Sequence, residues 1–218
     1  MPAAIFDQDG TLVDLFELHL KGFQEVLRGR FGLEFGREDL AKYYGKTGEE
    51  IMRSFLSKHG VSADPRPLAV RRRQWVVDNI GYCRVLPGVT NLLEGLREAG
   101  VPMAVGTSNT SELAGAILKS CGLDGFFACV SCRDDTLRGK PAPDVFLSAA
   151  KGLGVVPSEC VVVEDSVFGV QAAKAAGMRS IAVSTGMHTR RELEGEGPDM
   201  LVYSLSEVAA ATVVNLFK

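Results

Sequence analysis

Two carboxylates one residue apart close the first apolar run of this chain, Ile5-Phe6-Asp7-Gln8-Asp9-Gly10-Thr11-Leu12. Charges that close repel unless a cation joins them, and carboxylate oxygens are the ligands a hard divalent cation takes. The carboxylate chemistry left over is nucleophilic or acid/base. Asp and Gly are also ordinary turn formers, so the run alone equally describes an acidic strand end. Three later stretches have complementary chemistry. Val105-Gly106-Thr107-Ser108-Asn109-Thr110 carries an apolar run into hydroxyl and amide side chains at a helix start. Free backbone N–H groups and a hydroxyl there take phosphate oxygens, and the same residues also make a plain N-cap. Gly139-Lys140-Pro141-Ala142-Pro143-Asp144 aims a lysine from a turn stiffened by two prolines, although lysines usually end in solvent. Val161-Val162-Val163-Glu164-Asp165-Ser166 again ends an apolar run in acids, adding oxygen ligands for the same cation.

The elements that must position these groups follow from hydrophobic patterning. Short Val/Ile/Ala-rich runs at Ala3 to Phe6, Pro102 to Gly106, Phe127 to Cys132, Cys160 to Val163 and Ser180 to Val183 read as strands buried on both faces. Between them lie helix patterns with recognisable ends, such as the run from Asn91 closed by Gly100 and Val145 to Leu153 opened by Pro143-Asp144. From Pro87 onward strand and helix alternate. That predicts an α/β fold with a doubly wound parallel sheet, in which reactive residues gather outside the carboxyl ends of the strands. The stretch from Leu15 to Cys83 breaks the alternation with helix patterns alone, one of them opened by a Thr47…Glu50 capping box. It reads as an inserted all-helical domain, giving residues 1–14 and 84–218 as the core and 15–83 as the insertion. All four polar stretches then sit at strand ends of one sheet. Together they supply a metal site, a nucleophile, a proton donor and fixed positive charge, which is what phosphoryl transfer requires.

Asp7-x-Asp9-Gly10-Thr11, Thr107, Lys140-Pro141 and Glu164-Asp165 resemble, in order, the four motifs of the haloacid dehalogenase superfamily. The insertion after the first motif resembles the helical cap of the branch holding phosphoglycolate phosphatase and β-phosphoglucomutase. The resemblance implies a Rossmann-like core and an aspartyl-phosphate intermediate. Asp7 is then the nucleophile and Asp9 the general acid and base; Thr107, Ser108, Asn109 and Lys140 hold phosphoryl oxygens. Mg²⁺ is ligated by residues matching Asp7, the Asp9 carbonyl and Asp165, with Glu164 close by. In the cap it points to His19, to Lys46 on the loop Gly45-Lys46-Thr47-Gly48, and to Arg72 as substrate contacts. Successive residues of the run Arg71-Arg72-Arg73 lie about 100° apart on a helix, so at most one faces a ligand. Gln8 departs from the family, which more often has an apolar residue there, and Leu15 stands where relatives often carry serine. The implied activity is a phosphatase acting on a small phosphorylated metabolite, a sugar phosphate or phosphoglycolate-like compound. A phosphomutase of the β-phosphoglucomutase type would use the same core residues.

Composition bounds the partners. The formal net charge of -3 over 218 residues provides no global basic field for nucleic acid or an anionic membrane. No apolar run approaches the roughly 20 residues of a membrane span, and the N-terminus reaches Asp7 too soon for a signal-peptide core. The expectation is a cytoplasmic enzyme, monomer or weak dimer, whose partner is a small-molecule phosphoester. Five scattered cysteines, an odd number, read as reduced thiols rather than a disulfide framework. Cys129 and Cys132 lie three apart on a strand, on opposite faces, and lack the second pair a structural zinc needs.

Overall fold

A computed structural model describes residues 2–43 and 46–217. Gly45 of the expected cap loop lies outside the described residues. The chain runs β1 (Ala3–Phe6), β2 (Val13–Asp14), α1 (Phe16–Phe31), α2 (Arg37–Tyr43), α3 (Gly48–Lys58), α4 (Pro65–Asp78), β3 (Arg84–Val85) and α5 (Val89–Glu98). It continues with β4 (Met103–Gly106), α6 (Ser111–Ser120), β5 (Cys129–Ser131), α7 (Asp144–Leu153), β6 (Cys160–Glu164), α8 (Val167–Ala175), β7 (Arg179–Val183), α9 (Arg190–Gly195), β8 (Met200–Val202) and α10 (Ala210–Asn215).

Six strands form one parallel sheet in the order β5-β4-β1-β6-β7-β8. The two-sided apolarity of the strands explains why. Ala4, Phe6, Val105, Val161 and Val163 point into one hydrophobic cluster, while Ala3, Ile5, Ala104, Cys160 and Val162 point into another on the opposite face. Such strands are stable only with helices over both faces, as a doubly wound sheet provides. From β1 the chain steps through β4 to β5, then returns to the other side of β1 with β6, so β1 lies at the switch point where ligands bind in folds of this kind. Register does the fine positioning. Phe6 pairs with Val105 on one side and Val163 on the other, which sets Asp7 between the Thr107 loop and Glu164.

β2 and β3 pair antiparallel, Val13 with Val85 and Asp14 with Arg84, where the chain enters and leaves the helical segment. Helices α1 to α4 have an apolar cluster of their own, in which Phe35 stacks on Phe23 at 4.8 Å and meets Phe55 edge-on at 4.9 Å between ring centroids. The ends of these helices follow local chemistry. Thr47 and Glu50 form the expected capping box on α3, Asp64 caps α4 ahead of Pro65, and Gly32 ends α1 in the left-handed region at φ 66°.

Two expectations need correction. β8 lies outside the apolar runs that predict strands, because a three-residue edge strand leaves almost no pattern. The cysteines are not all reduced thiols: Cys83 and Cys121 form a disulfide, with Cα atoms 6.7 Å apart, leaving Cys129, Cys132 and Cys160 free. Odd parity excludes full pairing but not one pair, and only the packing of α6 brings Cys121 back to the end of the helical segment.

Candidate active site

Asp7 follows β1 directly, and its N–H donates to the Val163 carbonyl at 2.9 Å, which locks the start of the loop onto β6. Lys140 is buried beneath it. Its Nζ donates to Asp7 Oδ1 at 2.5 Å and to Glu164 Oε1 at 2.8 Å, and Glu164 Oε2 accepts the Ser166 N–H at 2.5 Å. Both Glu164 oxygens are thereby engaged in fixing Lys140 and the start of α8. Asp165 differs. Its Oδ1 accepts the Thr11 hydroxyl at 3.1 Å, while its buried Oδ2 has no hydrogen-bond partner in the protein.

Oxygens of Asp7, Glu164 and Asp165 all lie within 4.8 Å of one another. Three carboxylates against one ammonium is an imbalance that burial makes costly. Burial, reinforced by Glu164 and Asp9 against the opposing pull of Lys140, pushes Asp7 up to about 8. Burial, with Glu164 and Asp7, likewise holds Asp165 well above the carboxylate range. Burial works against the charge on Lys140, but Asp7 and Glu164 outweigh it and raise the ammonium above its ordinary value. An all-oxygen donor set with excess negative charge and an unpartnered buried carboxylate oxygen fits a hard divalent cation.

Asp9 stands apart from this cluster. Its Oδ2 meets His19 Nε2 at 2.5 Å and its Oδ1 accepts from Asn109 Nδ2 at 3.0 Å. His19 Nδ1 in turn meets a terminal nitrogen of Arg72, whose guanidinium also lies over the Phe23 ring at 4.7 Å. A guanidinium only donates, so Nδ1 accepts and Nε2–H is the donor to Asp9. The pKa directions agree with that tautomer. Burial and the Arg72 charge hold His19 below its ordinary value. Burial would raise Asp9, but His19, Asn109 and Arg72 outweigh it and keep the carboxyl below its usual range.

Thr107 is buried, and its Oγ1 accepts the Asn109 N–H at 3.1 Å, which curls the loop after β4 toward Asp7. Asp7, Asp9, His19, Lys46, Arg72, Thr107, Ser108, Asn109, Glu164 and Asp165 line one cavity, with Lys140 held against Asp7. The structure thus brings together the candidate core acids, Thr107, Ser108, Asn109 and Lys140 with His19, Lys46 and Arg72 of the helical segment. Of the arginine run, Arg72 is buried in the cavity, Arg71 is exposed and Arg73 pairs with Glu112 at 3.0 Å. Lys46 Nζ lies 5.0 Å from the Phe168 ring centroid and 5.9 Å from that of Tyr43, bridging the helical segment and α8.

Sequence reasoning missed the glycines that make room for the acids. A Cβ on Gly186 would lie 1.7 Å from Asp165 Oδ2, and one on Gly169 would lie 1.8 Å from the Glu164 carboxyl carbon. Thr185, beside Gly186, donates its hydroxyl to the Gly10 carbonyl at 2.5 Å. The available signal was Ser184-Thr185-Gly186 directly after β7, one more polar turn at a strand end.

The family model for haloacid dehalogenase-like hydrolases matches residues 4–183, and so spans all the acids, Lys140 and the cap residues of the site, stopping just short of Thr185 and Gly186. The chain belongs to that family. Among haloacid dehalogenase-like relatives, the fructose-1-phosphate phosphatase YqaB of Escherichia coli (strain K12) is 37% identical over 183 residues, covering 82% of this chain and 94% of its own. Hexitol phosphatase A of the same organism is 35% identical over 211 residues, covering 97% and 94%. The crystal structure of CbbY from Rhodobacter sphaeroides in complex with phosphate superposes with a TM-score of 0.88 at 26% identity, covering 98% of this chain and 100% of that one. None of the described helices of this family member is long and apolar enough to cross a membrane.

Proposed function

We propose that the chain is a Mg²⁺-dependent phosphatase of small sugar or sugar-alcohol phosphates, working through an aspartyl phosphate on Asp7. One observation carries this: Asp7 is bonded to Lys140 at 2.5 Å inside a carboxylate cluster, while a second acid, Asp9, stands outside that cluster on its own partners. Nucleophile and proton donor thus have separate hydrogen-bond partners. Asp7, Asp165 and the Asp9 carbonyl would hold Mg²⁺, which when bound supplies the positive charge that offsets the acids and the phosphate oxygens. Lys140 and Thr107, with Ser108 beside them, take the phosphoryl oxygens, while Asn109, whose N–H goes to Thr107 and whose amide goes to Gln8 and Asp9, orders the loop around them.

The Asp7 carboxylate attacks phosphorus, the bond from phosphorus to the ester oxygen breaks, and Asp9, which takes up a proton from solvent once substrate has displaced His19 from its Oδ2, delivers that proton to the leaving alkoxide. Asp9 then takes a proton from water as it attacks the same phosphorus, releasing phosphate and restoring Asp7. Residues 15–83 act as a cap over a core of residues 1–14 and 84–218, with the β2–β3 pair as hinge. In the closed arrangement His19 occupies Asp9 Oδ2, so substrate must displace the histidine before proton transfer. The names of the relatives support a polyol phosphate as substrate.

The test is a panel of fructose 1-phosphate, hexitol phosphates, β-glucose 1-phosphate, phosphoglycolate and an aryl phosphate with Mg²⁺, following free phosphate and sugar-phosphate isomers together. Phosphate release from a polyol phosphate, lost in Asp7→Asn, is the expected result. Isomerisation without release would make the chain a mutase. No turnover of any member, or wild-type turnover by the Asp7 variant, would overturn the assignment.

A further inference from the structure

Gln8 lies between the two catalytic acids and is completely buried. A buried primary amide is costly unless both ends are bonded, roughly 1–3 kcal/mol for each group left unsatisfied. Here both ends are used. Nε2 donates to the Ala114 carbonyl in the first turn of α6 at 3.0 Å, and Oε1 accepts from Asn109 Nδ2 at 3.0 Å. The same Asn109 nitrogen gives its second hydrogen to Asp9 Oδ1, also at 3.0 Å.

The direction of this chain is fixed at one end. A backbone carbonyl only accepts, so the Gln8 amino group must face Ala114 and its oxygen must face Asn109. That oxygen only accepts as well, so Asn109 must turn its amino group inward, where its second hydrogen reaches Asp9. An apolar side chain at position 8 would remove one of the two acceptors that hold this amino group, leaving Asn109 tied to Asp9 Oδ1 alone and free to swing with it.

We infer that Gln8 is a positioning residue for the acid/base step: through Asn109 it fixes the Asp9 carboxylate by Oδ1, leaving Oδ2 as the oxygen that handles the proton. The inference rests on the proposed role of Asp9. It gives the unusual residue between the motif acids a function, and it ties the β1 loop to α6, whose first turn follows the phosphate-binding loop.

The experiment compares Gln8→Met, Asn109→Ala, the double variant and Asp9→Asn on an alkyl phosphate and on an aryl phosphate whose leaving group needs little protonation. Gln8→Met should lower kcat about 10-fold on the alkyl ester, the scale of one charge-assisted hydrogen bond, with KM nearly unchanged. The aryl ester should lose much less, so the alkyl-to-aryl ratio falls. Asn109→Ala should lower the same ratio, and the double variant should lower it no further. An equal loss on both esters, or additive effects on the ratio, would overturn the inference. If Gln8→Met does not fold, the ratio in Asn109→Ala decides: unchanged, it overturns the proposed link. Asp9→Asn separates the two levels. If that variant loses both esters alike, the role of Asp9 itself fails; if it loses only the alkyl ester while Gln8→Met and Asn109→Ala show no selectivity, only the role of Gln8 fails.

Discussion

Chelating divalent cations should make the stability of this protein fall as pH rises from about 6.5 to 8, and Mg²⁺ should remove the fall. The sign follows from Asp7 and Asp165. Asp7 is pushed up to about 8 from 3.8, so across this window the native state holds a proton that the unfolded chain has released, and the raised Asp165 acts in the same direction. Stability then decreases with pH until the native carboxyl ionises. The other shifted groups act elsewhere. His19 and His188, held low by burial, raise stability with pH only below about 6.5, and the raised Lys140 matters only above its ordinary range near 10.5. Asp9 and the remaining depressed carboxyls contribute near or below pH 4.

For Asp7 alone the change over this window is about 1–2 kcal/mol, since each pH unit of full proton difference is about 1.4 kcal/mol and the slope halves near the native pKa. For a chain of this length that is roughly 2–8 °C in Tm. Mg²⁺ at about 100 times its Kd should add about 2.7 kcal/mol and flatten the profile, because it takes the carboxylates in their ionised form. Thermal unfolding followed by circular dichroism in EDTA and in Mg²⁺, at half-unit pH steps, reads this directly. Asp165→Asn should shallow the EDTA slope and blunt the Mg²⁺ response. A flat profile in EDTA, or a Tm indifferent to Mg²⁺, would refute the claim that unneutralised carboxylates fill the site.

Arg72→Met removes the donor that fixes the His19 tautomer. It should lower kcat/KM about 10-fold or more and stability by about 1–3 kcal/mol, checked by steady-state kinetics and urea unfolding. Lys46→Ala should lower kcat/KM for the preferred polyol phosphate by about 1–3 kcal/mol and leave the aryl phosphate nearly unchanged; equal losses would show that its place over Phe168 serves closure instead. Gly186→Ala forces a methyl onto Asp165 Oδ2 and should abolish the Mg²⁺-induced rise in Tm, while costing about 1–3 kcal/mol from overpacking.

The core site was legible because each of its parts is a strand end, and strand ends announce themselves by a buried apolar run meeting polar residues. Asp7, Thr107 and Glu164-Asp165 all carry that signature. Lys140 is legible only through chemistry, since nothing in its turn shows that it will be buried against two carboxylates. The glycines at 169 and 186 were not, because a requirement for empty space leaves no trace in spacing. Nor was the bond between His19 and Arg72, which lie 53 residues apart on different helices and meet only through the packing of α1 on α4. The 83–121 disulfide falls in the same class.

What the sequence hid is how Asp9 is shared. Its Oδ1 is held from the core, by Asn109 and behind it Gln8; its Oδ2 is held from the helical segment, by His19 and behind it Arg72. The two holds differ in origin. The core hold runs through the loops after β1 and β4 to α6, whereas the His19 hold comes from α1, so the cap motion proposed above would break the second and spare the first. That motion would free one oxygen of Asp9 without freeing the carboxylate as a whole. Proton transfer can then be switched by closure while its direction stays set by the core, and for that reason both Gln8 and Arg72, neither of them a reacting group, should register in kcat.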